Sequence, residues 1–405
     1  MRITRTAAGL AATALLTSAA LATTAATAQP AKACTPTWKL VATPTPPGAS
    51  RMQYTPLGVD VVSSTDVRFP IWAVGGGVNT AWILRWDGSA LSTMPPFPVS
   101  PLTWTEPGAG SFDSGSDGWV LARDNATAFV SAERWAGGRW TLTPMDVPPD
   151  PATRQLIPHD VAALSPTDAW AVGGTYKAGV GVTGGTQALG ALVEHWDGTR
   201  WSTVANPLAG QPDTTLNVVK ALSPTDVWAA GWRGDGNGTF ATLVEHWNGT
   251  EWTVLPTPPG ANRAGIRALS ASGPDDVWIS GAQGSPDSPT TATALIEHWD
   301  GHTWTVADLP DLGNTRVSGL YAAGPNDVWA TTEVQGTGVA SSFLHWDGHT
   351  WTVDPAPGLK AYGLGTYYFG MGGTGHDDVW ATGWTYDFGA GNGTPQIAHL
   401  SCGRS

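Results

Sequence analysis

Five histidines sit directly before a tryptophan or the residue standing in its place: His195, His246, His298, His345 and His399. Upstream of each, an aspartate stands two residues before another tryptophan, at Asp168, Asp226, Asp276, Asp327 and Asp378, and Asp117 does the same. A histidine held by a carboxylate can move protons, and the same two side chains can ligate a metal. Five near-identical copies read instead as scaffold, a hydrogen bond repeated to satisfy polar groups that packing partly buries. No metal or other cofactor is expected. Glu106, His159, Asp160, Tyr362 and Tyr367 are ionisable and out of phase with that pattern. They are the candidates for an acid–base pair.

The elements that must position these groups follow from a repeat. "VVKALSPTDVWAAGW" leads into "ATLVEHWNGTEWTVLPTP", and "GIRALSASGPDDVWISGA" leads into "ALIEHWDGHTWTVADLP". Each copy holds four short apolar runs, a to d, with "SPTD"-like turns between a and b and "NG" or "DG" hairpin turns between c and d. The tryptophans of run b are Trp72, Trp119, Trp170, Trp228, Trp278, Trp329 and Trp380, separated by 47, 51, 58, 50, 51 and 51 residues. Seven copies of a four-stranded meander at about 50 residues predict an all-β, seven-bladed β-propeller of antiparallel blades. A lone four-stranded sheet cannot bury both faces, so blades must stack around an axis. The expected blades span 50–98, 104–146, 156–206, 214–258, 262–309, 313–356 and 360–402.

The last copy stops at "QIAHLSCGRS", with no d run after Cys402. Near the start, "CTPTWKLVATPTP" matches a d run, with Trp38 as its tryptophan. Residues 34–44 are therefore expected to form the outer strand of blade 7 and close the ring. The only two cysteines, Cys34 and Cys402, then fall at the missing hairpin turn, and a disulfide is expected between them. The competing reading, a lipid-modified Cys34, has little support, because "PAKA" lacks a leucine three before the cysteine.

The histidine–aspartate arrangement resembles the structural hydrogen-bond networks of WD-repeat propellers. "DGxxW" is similar to a shortened Asp-box turn, and the Gly-Gly doublets of "AVGGG" and "AVGG" hint at kelch repeats. The resemblance covers residues 34–405 at the level of fold and carries no functional residue across.

Residues 1–28 read as a signal peptide: Arg2 and Arg5, an apolar run from Ala7 to Ala26, then "ATA". No later apolar stretch is long enough to span a bilayer. Export is expected, with a secreted, extracellular protein in an oxidising space. Removing the two arginines leaves 18 basic against 33 acidic residues, a net charge of −15. Such a surface repels phosphate backbones and excludes nucleic acid as a partner. The "NGT" sequons read as turns in a chain of bacterial, actinobacterial-looking composition, and "GDGNG" and "GAGNG" carry too few carboxylates for a calcium loop.

The a–b and c–d connections are short, whereas the d–a and b–c connections are long and share one face of the ring. Four tryptophans fall outside the repeat positions, Trp82, Trp104, Trp232 and Trp384, and all map to that face, as do Tyr176 and Tyr386. Indole rings on a rigid, acidic, exported scaffold point to a monomeric binding protein that stacks sugar rings, with an extracellular glycan as first partner. A protein partner is the second reading, since such aromatics also dominate interfaces. A glycan-active hydrolase or lyase at the central channel, using Glu106, His159, Asp160, Tyr362 or Tyr367, is the alternative from a different class.

Overall fold

Each apolar run forms a strand, because its β-branched and aromatic side chains pack on a pleated surface with turn residues at both ends. The computed structural model describes residues 35–44, 53–56, 58–75, 78–97, 105–124, 130–146, 154–177, 188–235, 240–257, 265–284, 292–334, 341–358, 364–387 and 392–402. Pro36–Ser405 form one compact unit. It contains seven antiparallel sheets, each hydrogen-bonded in the order a–b–c–d. Blade 4 is representative: a is Thr214–Ser223, b Asp226–Gly234, c Phe240–Trp247 and d Trp252–Leu255. In blade 1, run a is split into Gln53–Pro56 and Asp60–Ser63, both paired with b. No helix among the described residues is long and apolar enough to cross a membrane.

Thr37–Val41 pairs with strand c of blade 7, Asn392–Ser401, and sets Trp38 opposite Leu400. The ring is therefore closed by the N-terminal strand. Trp38 packs across the seam into blade 6, 4.4 Å from the Phe343 ring and 5.6 Å from Trp329. On the other side of blade 7, Trp380 meets Trp86 of blade 1 at 5.2 Å.

The core lies between blades. The b tryptophan of one blade meets the c and d tryptophans of the next, as with Trp170 against Trp247 and Trp252 at 5.1 and 5.5 Å. Trp119 repeats the contact with Trp196 and Trp201 at 4.8 and 5.0 Å. Such aromatic pairs are worth about 0.5–1.5 kcal/mol beyond the area they bury.

Blade 1 departs from the sequence expectation. Asp66 occupies the place that Asp226 holds in blade 4, opposite the serine that ends strand a, so the b position is Arg68 and not Trp72. Arg68 is fully buried, bonds Asp66 twice at 3.2 Å, and lies 3.9 Å over the Phe112 ring. A planar, apolar-faced guanidinium fills the slot that an indole fills elsewhere. Trp72 thereby moves four residues beyond the b position, the same place as Trp232 and Trp384.

Two glycine positions show how tightly the elements meet. Strand a carries a one-residue bulge in blades 3 to 7, at His159, Asn217, Arg267, Ser318 and Phe369. Opposite the blade 4 bulge, a Cβ on Gly231 would lie 2.0 Å from the Thr215 carbonyl oxygen, so only glycine lets a and b approach there. Between c and d the loop holds four residues: Asn248 Oδ1 accepts the Thr250 and Glu251 amides, and Gly249 takes φ 93°. The side-chain oxygen acts as the inner scaffold of this turn.

Candidate functional site

The repeated histidines and aspartates meet as the sequence spacing requires. Nε2 of His195, His246, His298 and His345 lies 2.8 Å from Oδ1 of Asp168, Asp226, Asp276 and Asp327, and His399 lies 2.7 Å from Asp378. Each ring also packs on its b tryptophan, tilted by 35° and 37° for His195 and His246 and stacked for His298, His345 and His399, the last at 3.7 Å from Trp380. In blade 4 the Trp228 indole donates to the same Asp226 oxygen at 2.8 Å. Burial pushes the Asp276 carboxyl up, but the bonds from His298, Ser272 and Trp278 outweigh it and hold it below the usual carboxylate range. In blades 1 and 2 an arginine replaces the histidine: Arg85 pairs with Asp66 at 2.8 Å and Arg134 with Asp117 at 2.9 Å. These groups tie strands b and c together.

The out-of-phase acids and bases are also engaged by the scaffold. His159 Nδ1 lies 3.0 Å from the Leu216 carbonyl oxygen of the next blade. Asp160 accepts the Val161 amide at 2.9 Å and, across the seam, the Val219 amide at 2.8 Å. Asp60 accepts the Phe112 amide of blade 2 at 3.0 Å in the same manner. Burial pushes both carboxyls up to about 7, against the pull of these amides and of Lys220. Burial also raises the Tyr367 phenol, helped by Glu333. Tyr362 and the Glu106 side chain lie outside the described residues.

Of the aromatic candidates, Tyr176 is core: it is 7% exposed, donates to Thr215 Oγ1 at 3.4 Å and packs with Ile157 and Ala188. Its ring is not available to a surface ligand in this arrangement. Trp82 packs against the apolar cluster between blades 7 and 1. Trp232 and Trp384 are half-buried, the first edge-on to Phe240 at 4.7 Å and the second 6.4 Å from Tyr367. Trp104, the Tyr386 side chain and most of the long b–c and d–a loops lie outside the described residues. So does Cys34, and no described cysteine is free.

A groove of about 540 Å³ lies between blades 5 and 6. Its walls include Trp278 and His298 of blade 5 and Trp346 and Trp351 of blade 6, with Asp308 and His349 at the polar edge. Trp278 and His298 stack at 3.8 Å, so the aromatic wall is rigid. The volume falls in the range of about 300–1,000 Å³ usual for small-ligand sites, and its lining mixes aromatic and polar groups. Sequence reading assigned these tryptophans to scaffold, because they occupy repeat positions. The signal it passed over is the connection "ADLPDLG" after strand d, which supplies Asp308 and Pro310 beside the rings.

The motif "EHW" also hid a feature. Glu133, Glu194, Glu245 and Glu297 stand two before the c tryptophan in blades 2 to 5, and all four are fully buried. Two of them bond to the preceding blade: Thr242 of blade 4 donates to Glu297 at 3.3 Å, and the Asp146 amide of blade 2 donates to Glu194 at 3.2 Å. Burial pushes Glu194 up to about 8 and the other three up to about 7.

With this geometry described, the chain can be set beside known proteins. No protein-family model matches it, and no curated protein matches it. Its likeness is one of fold. A solved structure of YCF48 bound to D1 peptide superposes with a TM-score of 0.54 at 14% identity, covering 91% of this chain and 96% of that one. An extracellular domain of a hybrid two-component system from B. thetaiotaomicron superposes with a TM-score of 0.52 at 12% identity, covering 91% of this chain but only 40% of that one. A fucose-specific lectin from Aleuria aurantia is a looser match, with a TM-score of 0.39 at 15% identity over 74% of this chain and 97% of that one. The propeller architecture is thus shared with proteins of widely different sequence, and identities this low leave the ligand to be argued from the chain's own residues.

Proposed function

We propose that the protein is an exported, non-catalytic binding protein whose ligand is an extracellular carbohydrate. The groove between blades 5 and 6 carries the proposal: the half-buried Trp346 ring, backed by the buried Trp278 and Trp351, lies beside hydrogen-bonding groups from Asp308, Thr305 and His349. A sugar ring has apolar faces that stack on indole and hydroxyls at its rim that need polar partners. Trp232 and Trp384 at the opposite rim offer a second place for the same contact. The non-catalytic part rests on the acids and bases themselves, since Asp160, His159 and the repeated histidine–aspartate pairs are all bonded into the scaffold. Export rests on the N-terminal segment, and a bridge between Cys34 and Cys402 belongs to the same reading.

A peptide or protein ligand is the second reading. Outer strands expose an apolar residue two beyond the d tryptophan at Leu40, Leu142, Val254, Val306 and Val353, from 39% to 60% accessible. An open strand edge with apolar side chains is how extended peptides are commonly taken up, and a peptide accompanies the similar propeller YCF48.

Glycan-array binding followed by tryptophan-fluorescence titration separates the readings. The expected result is saturable quenching by one oligosaccharide class. Trp346→Ala with Asp308→Ala should weaken it at least about 10-fold, a loss of about 1.4 kcal/mol. Insensitivity to both changes, with loss on Trp232→Ala and Trp384→Ala, moves the site to the opposite rim. Polysaccharide turnover, or no glycan bound at all, overturns the proposal.

A further inference from the structure

Blade 6 breaks the repeated pattern at one carboxylate oxygen. In blade 5, Oδ2 of Asp276 receives the Ser272 hydroxyl, and in blade 7, Oδ2 of Asp378 receives the Thr374 hydroxyl. Both hydroxyls stand four residues before the aspartate, and in blade 6 that position is Ala323. Oδ2 of Asp327 instead meets Nδ1 of His376 at 2.8 Å, from the a–b turn of blade 7, while Oδ1 keeps its usual His345 partner at 2.8 Å. At the equivalent turn position blades 3, 4, 5 and 6 carry Pro166, Pro224, Pro274 and Pro325. One carboxylate thus lies between two imidazoles from adjacent blades, and this occurs at no other aspartate of the repeat among the described residues.

We propose that Asp327, His345 and His376 form a binding site for a divalent transition metal of the zinc class at the seam between blades 6 and 7. The three ligand atoms lie within 4.8 Å of one another. Tetrahedral zinc, with bonds of about 2.0–2.2 Å, needs its ligand atoms roughly 3.3–3.5 Å apart, so the present hydrogen bonds need to open by less than 1 Å. Two imidazole nitrogens with one carboxylate suit zinc, nickel or copper; calcium and magnesium favour all-oxygen sets. His345 is fixed for the task by stacking on Trp329 at 4.0 Å. His376 is 62% exposed, which gives the ion an entry path and leaves a fourth position open to solvent. On binding, each imidazole turns a bare nitrogen to the metal and carries its proton on the other ring nitrogen. The proposal is independent of the glycan reading.

The test uses the mature full-length chain, stripped with a chelator and titrated calorimetrically with zinc chloride, and separately with calcium chloride. One zinc per chain and no calcium is expected. Cobalt(II) added in place of zinc should give the visible bands of a four-coordinate site. His376→Ala, on an exposed turn, should keep the chelated protein's melting temperature and weaken zinc by more than about 10–100-fold, the loss typical of mere outer-shell partners. His302→Ala, an exposed histidine in the c–d turn of blade 5, should leave the affinity unchanged. Equal zinc affinity in wild type and His376→Ala, or no zinc uptake by wild type, overturns the assignment.

Discussion

A buried carboxyl records its surroundings in its titration, and this chain carries two opposed sets. Glu133, Glu194, Glu245 and Glu297 are raised to about 7 or 8, chiefly by burial. Their folded values exceed the ordinary one, so their contribution to stability is complete below the ordinary glutamate range and is lost as pH rises through 7 to 8. Asp276 and Asp378 are pushed up by burial but held low overall by their histidine, hydroxyl and indole donors, and Asp327 is held low against its burial by two histidines. Their contribution is present above the ordinary aspartate range and is lost as pH falls below it. Stability should therefore peak in mildly acidic solution, between roughly pH 4 and 7. Thermal melting across pH checks this, and Glu245→Gln should raise the melting temperature near about pH 9 while leaving it unchanged near about pH 5. A flat alkaline limb in the wild type refutes the account.

Between residue and ring stands the blade, whose shape depends on how closely strands a and b approach at the bulge. Gly231, Gly281 and Gly383 all lie three beyond a b tryptophan, with a strand-a carbonyl oxygen 2.0, 1.9 and 1.8 Å from where a Cβ would sit. Backbone cannot yield as a flexible side chain can. Gly231→Ala should cost about 3 kcal/mol, the upper end for overpacking, read from urea denaturation of the purified chain. A loss below about 1 kcal/mol would show that the bulge can slide, contrary to the packing described. The same element explains Arg68. A position between blades requires a flat group with a polar edge directed at Asp66, and guanidinium over Phe112 meets that need as indole does.

Pro36–Ser405 close as a ring, and its stability depends on the last joint. Trp38 joins blade 7 to blade 6 through Trp329 and Phe343. Trp38→Ala should cost about 3 kcal/mol, the lower end of the range for a core tryptophan, because the ring is half-buried. The bridge proposed between Cys34 and Cys402 would span more than 350 residues, for which chain entropy gives an upper figure of about 6 kcal/mol. Reduction of the mature protein should therefore lower its melting temperature, and Cys34→Ser should remove that sensitivity. Peptide mapping under non-reducing conditions that finds both sulfurs unpaired rules the bridge out.

Much of this was legible in the chain alone, because a propeller is written as a period. Blade number, strand order, the role of Trp38 and the meeting of each histidine with its aspartate follow from residue types at recurring offsets, which fix who faces whom in any repeat. Exceptions were not legible. Arg68 in an indole's place broke the only marker used to find the b position. The buried role of Tyr176, the groove beside Trp346, the depth of the four glutamates and the approach of His376 to Asp327 arise between blades. Contacts across a seam join residues some 50 positions apart whose distances depend on how neighbouring sheets tilt and twist. Periodicity specifies each blade; only packing one blade on the next decides which side chains are left facing a ligand.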